Sequence, residues 1–319
     1  MARHKTDKLG KKPNWFFYRL IGIGVVLNLG RLVFRIKIKP DKAVCAMDGP
    51  LICVGNHPSY LDPFVVAALV RKRDINFVAG AFLFRIPIFG SLIASGGCIP
   101  KTQYHSDSQA VKAMVRVLRR KGTLALFPEA TRMVDGTSIS FNDSLARLIK
   151  RYRSLVAIVA SRGAYSTWPR WSTSGIRRGH IEGEIKRVIT ADEIAGMSAD
   201  ELHQILLAEM EYNEYDWLEK HPHTYKSKAI AESCHNVAHA CPRCDSLVAM
   251  RSDRDRLYCA ICGNRGHMDA SGFLKGDTPE DRFFKTLHEW VTWQKEQLRK
   301  RIEDATFAID ETTYLLLPW

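Results

Sequence analysis

Residues 51–62 read LICVGNHPSYLD, and this stretch decides the fold. Residues 51–55 form a short apolar run, which is typical of a buried strand. Asp62 and Pro63 then predict the start of a helix, with Asp62 as the N-cap and the proline at the first helical position. His57 therefore follows the end of a strand, and a four-residue loop separates it from the helix that Asp62 opens.

The same alternation of strand and helix continues along the chain. Further strands are predicted at residues 75–79, 123–127 and 155–160, and a helix at residues 108–120. Such alternation predicts an α/β fold with a mixed, largely parallel sheet flanked by helices. Active residues of these folds gather at the carboxyl ends of the strands, where His57 and Glu129 are both predicted to lie.

The composition is typical of a globular protein and excludes several other classes of protein. The chain has 319 residues, of which 46% are hydrophobic and 25% charged, so general disorder, a collagen-like repeat and a polytopic membrane protein are excluded. Its 47 basic and 34 acidic residues give a net charge of +13. An excess of this size favours an anionic partner, either nucleic acid, an acidic membrane or a phosphorylated substrate, although it can also serve solubility alone.

Much of the basic charge lies in residues 1–40, which hold ten Lys or Arg and one acidic residue. The apolar run Leu20–Gly30 is eleven residues long, whereas a spanning helix needs about 20. We therefore expect a membrane-associating helix that keeps the protein peripheral, on the cytoplasmic face of an anionic membrane. The aromatic residues of this anchor are Trp15, Phe16, Phe17 and Tyr18. The alternative is an ordinary buried helix with a solvated basic arm.

Four of the eight cysteines form a C-x2-C…C-x2-C pattern, which predicts a zinc ribbon. They are Cys241, Cys244, Cys259 and Cys262. Four thiolates close a tetrahedron around zinc, so the predicted role of the metal is structural; iron and plain thiols are the alternatives. After the ribbon, residues 278–281 predict the start of an amphipathic helix.

A change of composition near residues 221–223 marks a boundary between the α/β domain and the ribbon. The predicted organisation is a membrane-associating segment at 1–40, a catalytic domain at 41–222, the ribbon at 223–272, and an amphipathic helix with a tail at 273–319.

Two blocks carry a resemblance to a known family. Asn56–Asp62 resembles the N-H-x4-D block of the glycerolipid acyltransferases, and Phe127–Arg132, which reads FPEATR, resembles their F-P-E-G-T-R block. The order and separation of the blocks also fit, and the resemblance extends over about residues 15–190. The sequence is most similar to the 1-acylglycerol-3-phosphate acyltransferase group, which includes members with an appended cysteine ribbon.

The resemblance implies transfer of a fatty acyl group from a thioester, acyl-CoA or acyl-ACP, to the free hydroxyl of lysophosphatidic acid. His57 is then the general base, because imidazole titrates near neutral pH, and Asp62 orients it. Arg132 is expected to bind the acceptor phosphate, and Glu129 to hold a glycerol hydroxyl or to orient Arg132. Thr131, Lys101 and Asn56 complete the predicted substrate-binding set. Taken alone, His57 reads as a loop histidine and Asp62 as a helix cap.

The sequence departs from the family pattern at one position inside the second block and at the position directly after it. Ala130 replaces a glycine and Met133 a serine. Because alanine disfavours positive φ, Ala130 implies either an altered turn or a strained one. Lys101 is also followed by Thr102-Gln103, without the arginine that the family usually has nearby.

Three other functions are considered. Glycerol-3-phosphate or another lysolipid can replace lysophosphatidic acid as the acceptor. A nucleic-acid-binding zinc ribbon is disfavoured, because Cys241–Cys262 holds nearly balanced charge and the basic density lies at residues 1–40 instead. A non-catalytic lipid-binding relative is disfavoured because His57, Asp62 and the second block occur together.

Overall fold

The computed structural model describes residues 9–14, 28, 30, 36–103 and 105–304. Its main sheet has seven strands: β1 Ile36–Lys37, β2 Leu51–Gly55, β3 Ile75–Gly80, β4 Ile99–Lys101, β5 Thr123–Leu126, β6 Leu155–Arg162 and β7 Ile181–Ile189. Their order is β1-β7-β6-β2-β5-β3-β4. Neighbouring strands are parallel except β6 and β7. The predicted mixed, largely parallel sheet is therefore confirmed, and the strand that leads to His57 lies at its centre.

Helices cover both faces of this sheet. The α-helices of the described residues are α1 Lys42–Ala46, α2 Asp62–Leu69, α3 Phe89–Ser95, α4 Ser108–Arg119, α5 Ser144–Tyr152, α6 Ala164–Thr167, α7 Ala191–Gly196, α8 Ala199–Met210, α9 Glu214–Lys220 and α10 Leu287–Glu303. Apolar side chains of α1 and α2 pack in one buried cluster with the sheet. Those of α4, α5, α7 and α8 pack in a second cluster with it. Every residue of β2 is buried, as expected for a strand covered on both faces.

The start of α2 differs from the prediction in one respect. The helix begins at Asp62, the N-cap position is Leu61, and no side chain caps the first turn. Asp62 does not cap the helix because its carboxylate turns back and accepts hydrogen bonds from Ser59 and His57. Asp62 is thus available to the histidine from a fixed position in the first turn.

The C-terminal part of the chain forms a second, antiparallel sheet of four strands. These are β8 Met250–Asp253, β9 Arg256–Cys259, β10 Arg265–Met268 and β11 Leu274–Gly276, in the order β11-β10-β9-β8. The helix predicted to start at residues 278–281 was placed too early. Asp281 there accepts hydrogen bonds from Thr278 and Arg265, which holds a turn. The helix begins at Leu287, where Thr286 and Glu289 form a capping box.

A third buried cluster joins the ribbon to loops and short helices of the larger domain. Met133, Tyr165, Trp171 and Tyr215 come from the first 222 residues, yet they pack in one cluster with side chains of the ribbon and of α10. Trp290 of α10 is fully buried in this cluster. The ribbon and the larger domain therefore share apolar core.

The predicted membrane-associating helix falls mostly outside the described residues. Across the part of the chain that is described, no helix has both the length and the apolar character needed to cross a bilayer. Exposed apolar side chains do occur between β3 and the end of α3: Phe82, Ile86, Ile88, Phe89 and Leu92. Because β3 and β5 are parallel, this apolar segment begins at the same edge of the sheet as the turn that carries Glu129.

Candidate active site

His57 and Asp62 form a hydrogen-bonded pair at the carboxyl end of the central strand. The distance from His57 Nδ1 to Asp62 Oδ2 is 2.8 Å. Asp62 is buried, whereas the His57 side chain is 22% exposed. Among the described residues, no hydrogen-bond partner meets His57 Nε2. The pair therefore fixes one ring nitrogen against a carboxylate and presents the other outwards, which is the arrangement of an oriented general base.

The Asp62 carboxylate is held by three donors. Oδ2 accepts from the Ser59 N–H over 2.9 Å as well as from His57, and Oδ1 accepts from the Ser161 hydroxyl over 3.3 Å. Burial raises the pKa of Asp62 above its ordinary value, and these hydrogen bonds oppose the rise. Charge on the imidazole also opposes the rise in the pKa of Asp62, because it favours the ionised carboxylate.

Two further contacts hold His57, one through its imidazole ring and one through its backbone. The ring stacks on Phe127, with centroids 4.5 Å apart and an interplanar angle of 13°. The carbonyl oxygen of His57 accepts from the N–H of Met133 over 3.0 Å. Phe127 belongs to the second sequence block and Met133 directly follows it, so the two blocks that resemble the acyltransferases are in direct contact.

Asn56 joins the ends of two strands. Its amide Nδ2 donates to the Ser161 carbonyl over 3.0 Å, and its Oδ1 accepts from the Ser161 N–H over 2.8 Å. Asn56 is only 3% exposed. These two hydrogen bonds fix the backbone directly before His57. A direct contact of Asn56 with substrate stays a prediction.

Ser59 is also committed to the loop. It is fully buried, its hydroxyl donates to the Trp168 carbonyl, and the same oxygen accepts from the Leu61 N–H. These contacts fit a structural role of Ser59 in the loop.

Glu129 braces the second block against the first. Its carboxylate accepts from the backbone N–H of His57 and from that of Ile139, each over 3.1 Å. Burial raises the pKa of Glu129 to about 8, and the two amide hydrogen bonds oppose that rise. No ion pair between Glu129 and Arg132 occurs in the described chain. Its contact with a glycerol hydroxyl stays a prediction.

Arg132 lies over the ring of Tyr60, with Cζ 3.5 Å from the ring centroid. Its Nη1 is buried and has no hydrogen-bond partner in the described structure. Tyr60 packs in turn on Trp168, with centroids 4.9 Å apart. An orphaned guanidinium nitrogen held flat against an aromatic ring is well placed to receive a phosphate or carboxylate oxygen.

A second arginine, Arg170, lies beside Arg132 and is not among the site residues predicted from the sequence. Arg170 donates a hydrogen bond to Thr131 Oγ1. Burial is the main cause that lowers the pKa of Arg132, and the charge of Arg170 lowers it further. Arg170 lies beyond β6, outside both sequence blocks, and no motif signals it. Two neighbouring cations of this kind favour an anion between them.

Of the two outcomes that the substitution of the family glycine left open, an altered turn or a strained one, Ala130 shows the strained one. Ala130 has φ of 60°, in the left-handed region, and its N–H closes a turn onto the Phe127 carbonyl. Its own carbonyl accepts from Gln103 Nε2 over 2.6 Å. The glycine-type turn is thus kept despite the side chain, at a cost in conformational energy.

Lys101 ends β4, two strands away from β5 in the sheet. Its ammonium group donates to the carbonyl oxygens of Thr102 and His105, at 3.1 and 3.5 Å. These contacts keep the side chain near its own loop. The predicted phosphate contact of Lys101 stays a prediction.

The four ribbon cysteines lie together. Their sulfur atoms are all within 4.8 Å of one another, with Cys241 and Cys262 at 3.6 Å and Cys244 and Cys259 at 3.7 Å. In a tetrahedron with metal–sulfur bonds of about 2.3 Å, sulfur atoms are about 3.8 Å apart, so the set fits zinc. The distances are far too long for disulfides.

Comparison with known proteins identifies the larger domain. Residues 35–161 match the model of the acyltransferase family. The chain contains an acyltransferase-family domain. Both sequence blocks, with His57, Asp62, Glu129 and Arg132, lie inside the matched range.

The relatives of this acyltransferase domain agree with the predicted group. A chloroplastic 1-acyl-sn-glycerol-3-phosphate acyltransferase, LPAT1 of Arabidopsis thaliana, is 26% identical over 171 residues, which cover 53% of this chain and 46% of that protein. A 1-acyl-sn-glycerol-3-phosphate acyltransferase of Streptococcus pneumoniae is 26% identical over 133 residues, covering 41% and 50%. The chain spans about half the length of the curated relatives it matches.

A solved structure supports the fold. The crystal structure of the 1-acyl-sn-glycerophosphate acyltransferase PlsC from Thermotoga maritima aligns with a TM-score of 0.52 at 19% identity, covering 64% of this chain and 80% of that one. The solved structure supports the fold, while the family-model match and the similar 1-acyl-sn-glycerol-3-phosphate acyltransferases confirm the resemblance that the two sequence blocks carry.

Proposed function

We propose that this protein is an O-acyltransferase that moves a fatty acyl group from a thioester to the free hydroxyl of lysophosphatidic acid, giving phosphatidic acid. The observation that carries the proposal is the His57–Asp62 pair, 2.8 Å apart at the end of the central strand. The names of the relatives support the choice of acceptor. The thioester is acyl-CoA or acyl-ACP.

The base step follows from the geometry of His57. Nδ1 is engaged with Asp62, so Nε2 takes the proton from the acceptor hydroxyl. The hydroxyl oxygen attacks the thioester carbonyl, and the tetrahedral intermediate collapses with breakage of the carbon–sulfur bond. The leaving thiolate then recovers the proton from the imidazolium. No acyl-enzyme forms, which agrees with the buried, internally bonded Ser59.

The acceptor phosphate is assigned to Arg132 and Arg170. The unpartnered Nη1 of Arg132 supplies one donor, and Arg170 beside Thr131 supplies a second cation. Two guanidinium groups match the double negative charge of a phosphate monoester. This arrangement favours lysophosphatidic acid over lysolipids whose phosphate is a diester.

The acyl chain and the membrane are assigned to the apolar segment that follows β3. Its exposed side chains, from Phe82 to Leu92, extend from the edge of the sheet where the catalytic turn lies. We place the protein peripherally, on the cytoplasmic face of an anionic membrane, with residues 1–40 as a basic anchor. The four ribbon cysteines hold a structural zinc ion.

The test is thioester consumption by the purified full chain on vesicles that contain lysophosphatidic acid. Wild type is compared with His57→Ala, and with His267→Ala, which removes an exposed ribbon histidine instead. His57→Ala is expected to lower the rate by about 10² or more, while His267→Ala retains it. Wild type without activity towards either thioester carrier would refute the proposal, and so would a fully active His57→Ala.

A further inference from the structure

Outside the active site, a second group of metal-ligating side chains comes together. One ligand atom from each of His180, Glu182 and His223 lies within 4.8 Å of the others. His180 Nε2 is 2.7 Å from Glu182 Oε1, and the rings of His180 and His223 have centroids 4.2 Å apart. Neither sequence block nor the cysteine pattern includes these residues.

The backbone holds the three residues in register. Arg178 and Lys226 pair in an antiparallel bridge, with reciprocal hydrogen bonds of 3.1 and 2.8 Å. His180 follows Arg178 by two residues, and His223 precedes Lys226 by three. The bridge therefore brings the two histidines alongside each other. Glu182 follows within β7, where it lies opposite Arg162 of β6. The ligands therefore sit on two paired segments of defined geometry.

Packing around the histidines limits their movement further. Gly163 approaches so closely that a Cβ there would lie 2.2 Å from the His180 carbonyl oxygen. His223 packs on Trp217, with centroids 5.3 Å apart. The side chain of His180 is 15% exposed and that of Glu182 43%, so the group is ordered yet reachable from solvent.

The ion pairs of the described side chains also link Glu182 to a histidine. Arg162, which lies opposite Glu182 on β6, makes its ion pair with Glu184, whereas Glu182 pairs with His180. Two imidazole nitrogens and one carboxylate oxygen form a ligand set that suits zinc, at bond lengths of about 2.0–2.2 Å. Around a tetrahedral ion with such bonds, ligand atoms lie about 3.3–3.6 Å from one another. The three ligand atoms already lie within 4.8 Å of one another, and His180 Nε2 and Glu182 Oε1 are 2.7 Å apart, so small side-chain rotations bring them to that spacing.

We propose that His180, Glu182 and His223 form a second zinc site, separate from the ribbon cysteines. Three protein ligands leave one coordination position open, unlike the closed set of four thiolates. A zinc ion bound here links the start of β7 to His223, in the segment that leads into the ribbon.

The test counts zinc on the full chain. Protein is saturated with Zn²⁺, freed of excess metal by gel filtration and analysed by inductively coupled plasma mass spectrometry. In parallel, Zn²⁺ is titrated calorimetrically into protein that already carries its ribbon zinc. The variants are His223→Ala and Glu182→Gln. The matched control is His221→Ala, which removes a histidine that also packs on Trp217 but is not part of the group.

Wild type and His221→Ala are expected to hold two zinc ions per chain, whereas His223→Ala and Glu182→Gln hold one. Added Zn²⁺ is expected to raise the melting temperature of wild type and His221→Ala, and to leave that of His223→Ala unchanged. A single zinc ion in wild type would overturn the proposal. Two zinc ions in a folded His223→Ala would overturn it as well. The acyltransferase proposal does not depend on either count.

Discussion

The backbone N–H of Met133 donates to the carbonyl oxygen of His57 over 3.0 Å, while the Met133 side chain is fully buried in the cluster shared with the ribbon. Met133, which replaces the family serine, thus links the loop that holds His57 to the C-terminal core. Asp135, two residues later, contacts His288 of α10 at 3.3 Å. The C-terminal part of the chain therefore packs against the residues that directly follow the Glu129 turn.

Met133→Ala is expected to destabilise the protein by about 2–5 kcal/mol, because it leaves a cavity in a buried cluster. It is also expected to lower kcat by about tenfold or more, because the turn beside His57 loses its support. Met114→Ala is the control, since Met114 is buried in the cluster that packs α4 on the main sheet. Denaturant unfolding and steady-state kinetics check both effects; equal kcat losses would contradict a specific role for Met133.

Asp62→Asn is expected to lower kcat by about 10²–10⁴ with little change in fold. The amide still fits the site but favours the wrong tautomer of His57, because it can offer an N–H where the carboxylate accepts one. Asp107→Asn provides a matched change, since Asp107 caps α4 and asparagine caps equally well. Steady-state rates on vesicles, with circular dichroism as the fold check, decide the matter. An Asp62→Asn enzyme of normal rate would remove Asp62 from the mechanism.

Arg170→Gln is expected to raise KM for lysophosphatidic acid about tenfold with kcat nearly unchanged, because one of two charge-assisted phosphate contacts is lost. Lysophosphatidylglycerol, whose phosphate is a diester, is expected to be affected less. Arg178→Gln, an exposed arginine of the same segment, serves as the control. Competition assays with both lysolipids measure the selectivity. An equal rise in KM for the two acceptors would contradict recognition of the second phosphate charge.

Ala130→Gly is expected to stabilise the protein by about 1 kcal/mol, because glycine tolerates the positive φ of 60° found at this turn. Ala270→Gly is the opposite case: Ala270 is also exposed in a turn but is not among the positive-φ residues. That change is expected to destabilise by about 0.5–1 kcal/mol through backbone entropy. Urea unfolding compares the two; a loss of stability in Ala130→Gly would show that the turn is not strained.

Glu129 is expected to make stability depend on pH. Its pKa lies near 8 in the folded protein, above the ordinary value of 4.5, so the folded state binds the extra proton between these values. The resulting stabilisation is complete below about pH 4.5 and is lost as pH rises through 8.

Glu129→Gln removes this titration, so its melting temperature is expected to fall less than that of wild type between pH 5 and pH 9. The amide also loses one of the two backbone contacts, so the variant is less stable overall and the slope is the quantity to compare. Glu211→Gln, an exposed site, should keep the wild-type slope. Thermal unfolding across the pH range checks this, and parallel slopes for wild type and Glu129→Gln would contradict it.

What the sequence revealed depended on how local the signal was. The strands of the sheet were predictable, because apolar runs bounded by turn residues mark them. The pairing of His57 with Asp62 was predicted from the family resemblance of their block, since taken alone they read as a loop histidine and a helix cap. The substitution at Ala130 left an altered turn and a strained one open.

The contacts that the sequence did not reveal join distant segments. Ser161 reaches Asp62 across 99 residues, and Arg170 reaches Thr131 across 39. Neither residue stands in a local pattern that sets it apart from other polar residues. The start of the last helix was misjudged because proline and acidic residues at 278–281 also suit a turn, and the capping residues Thr286 and Glu289 decided the outcome.

The pairing of β1 with β7 has a consequence for biosynthesis. Ile36 pairs with Ile181, so the first strand of the sheet has its partner only after the ribosome has made nearly all of the acyltransferase domain. At a synthesis rate of about 5–20 residues per second, this delay is roughly 7–30 s. During that time β1, which lies near the end of the basic segment 1–40, has no partner strand, and completion of the sheet awaits the synthesis of β7.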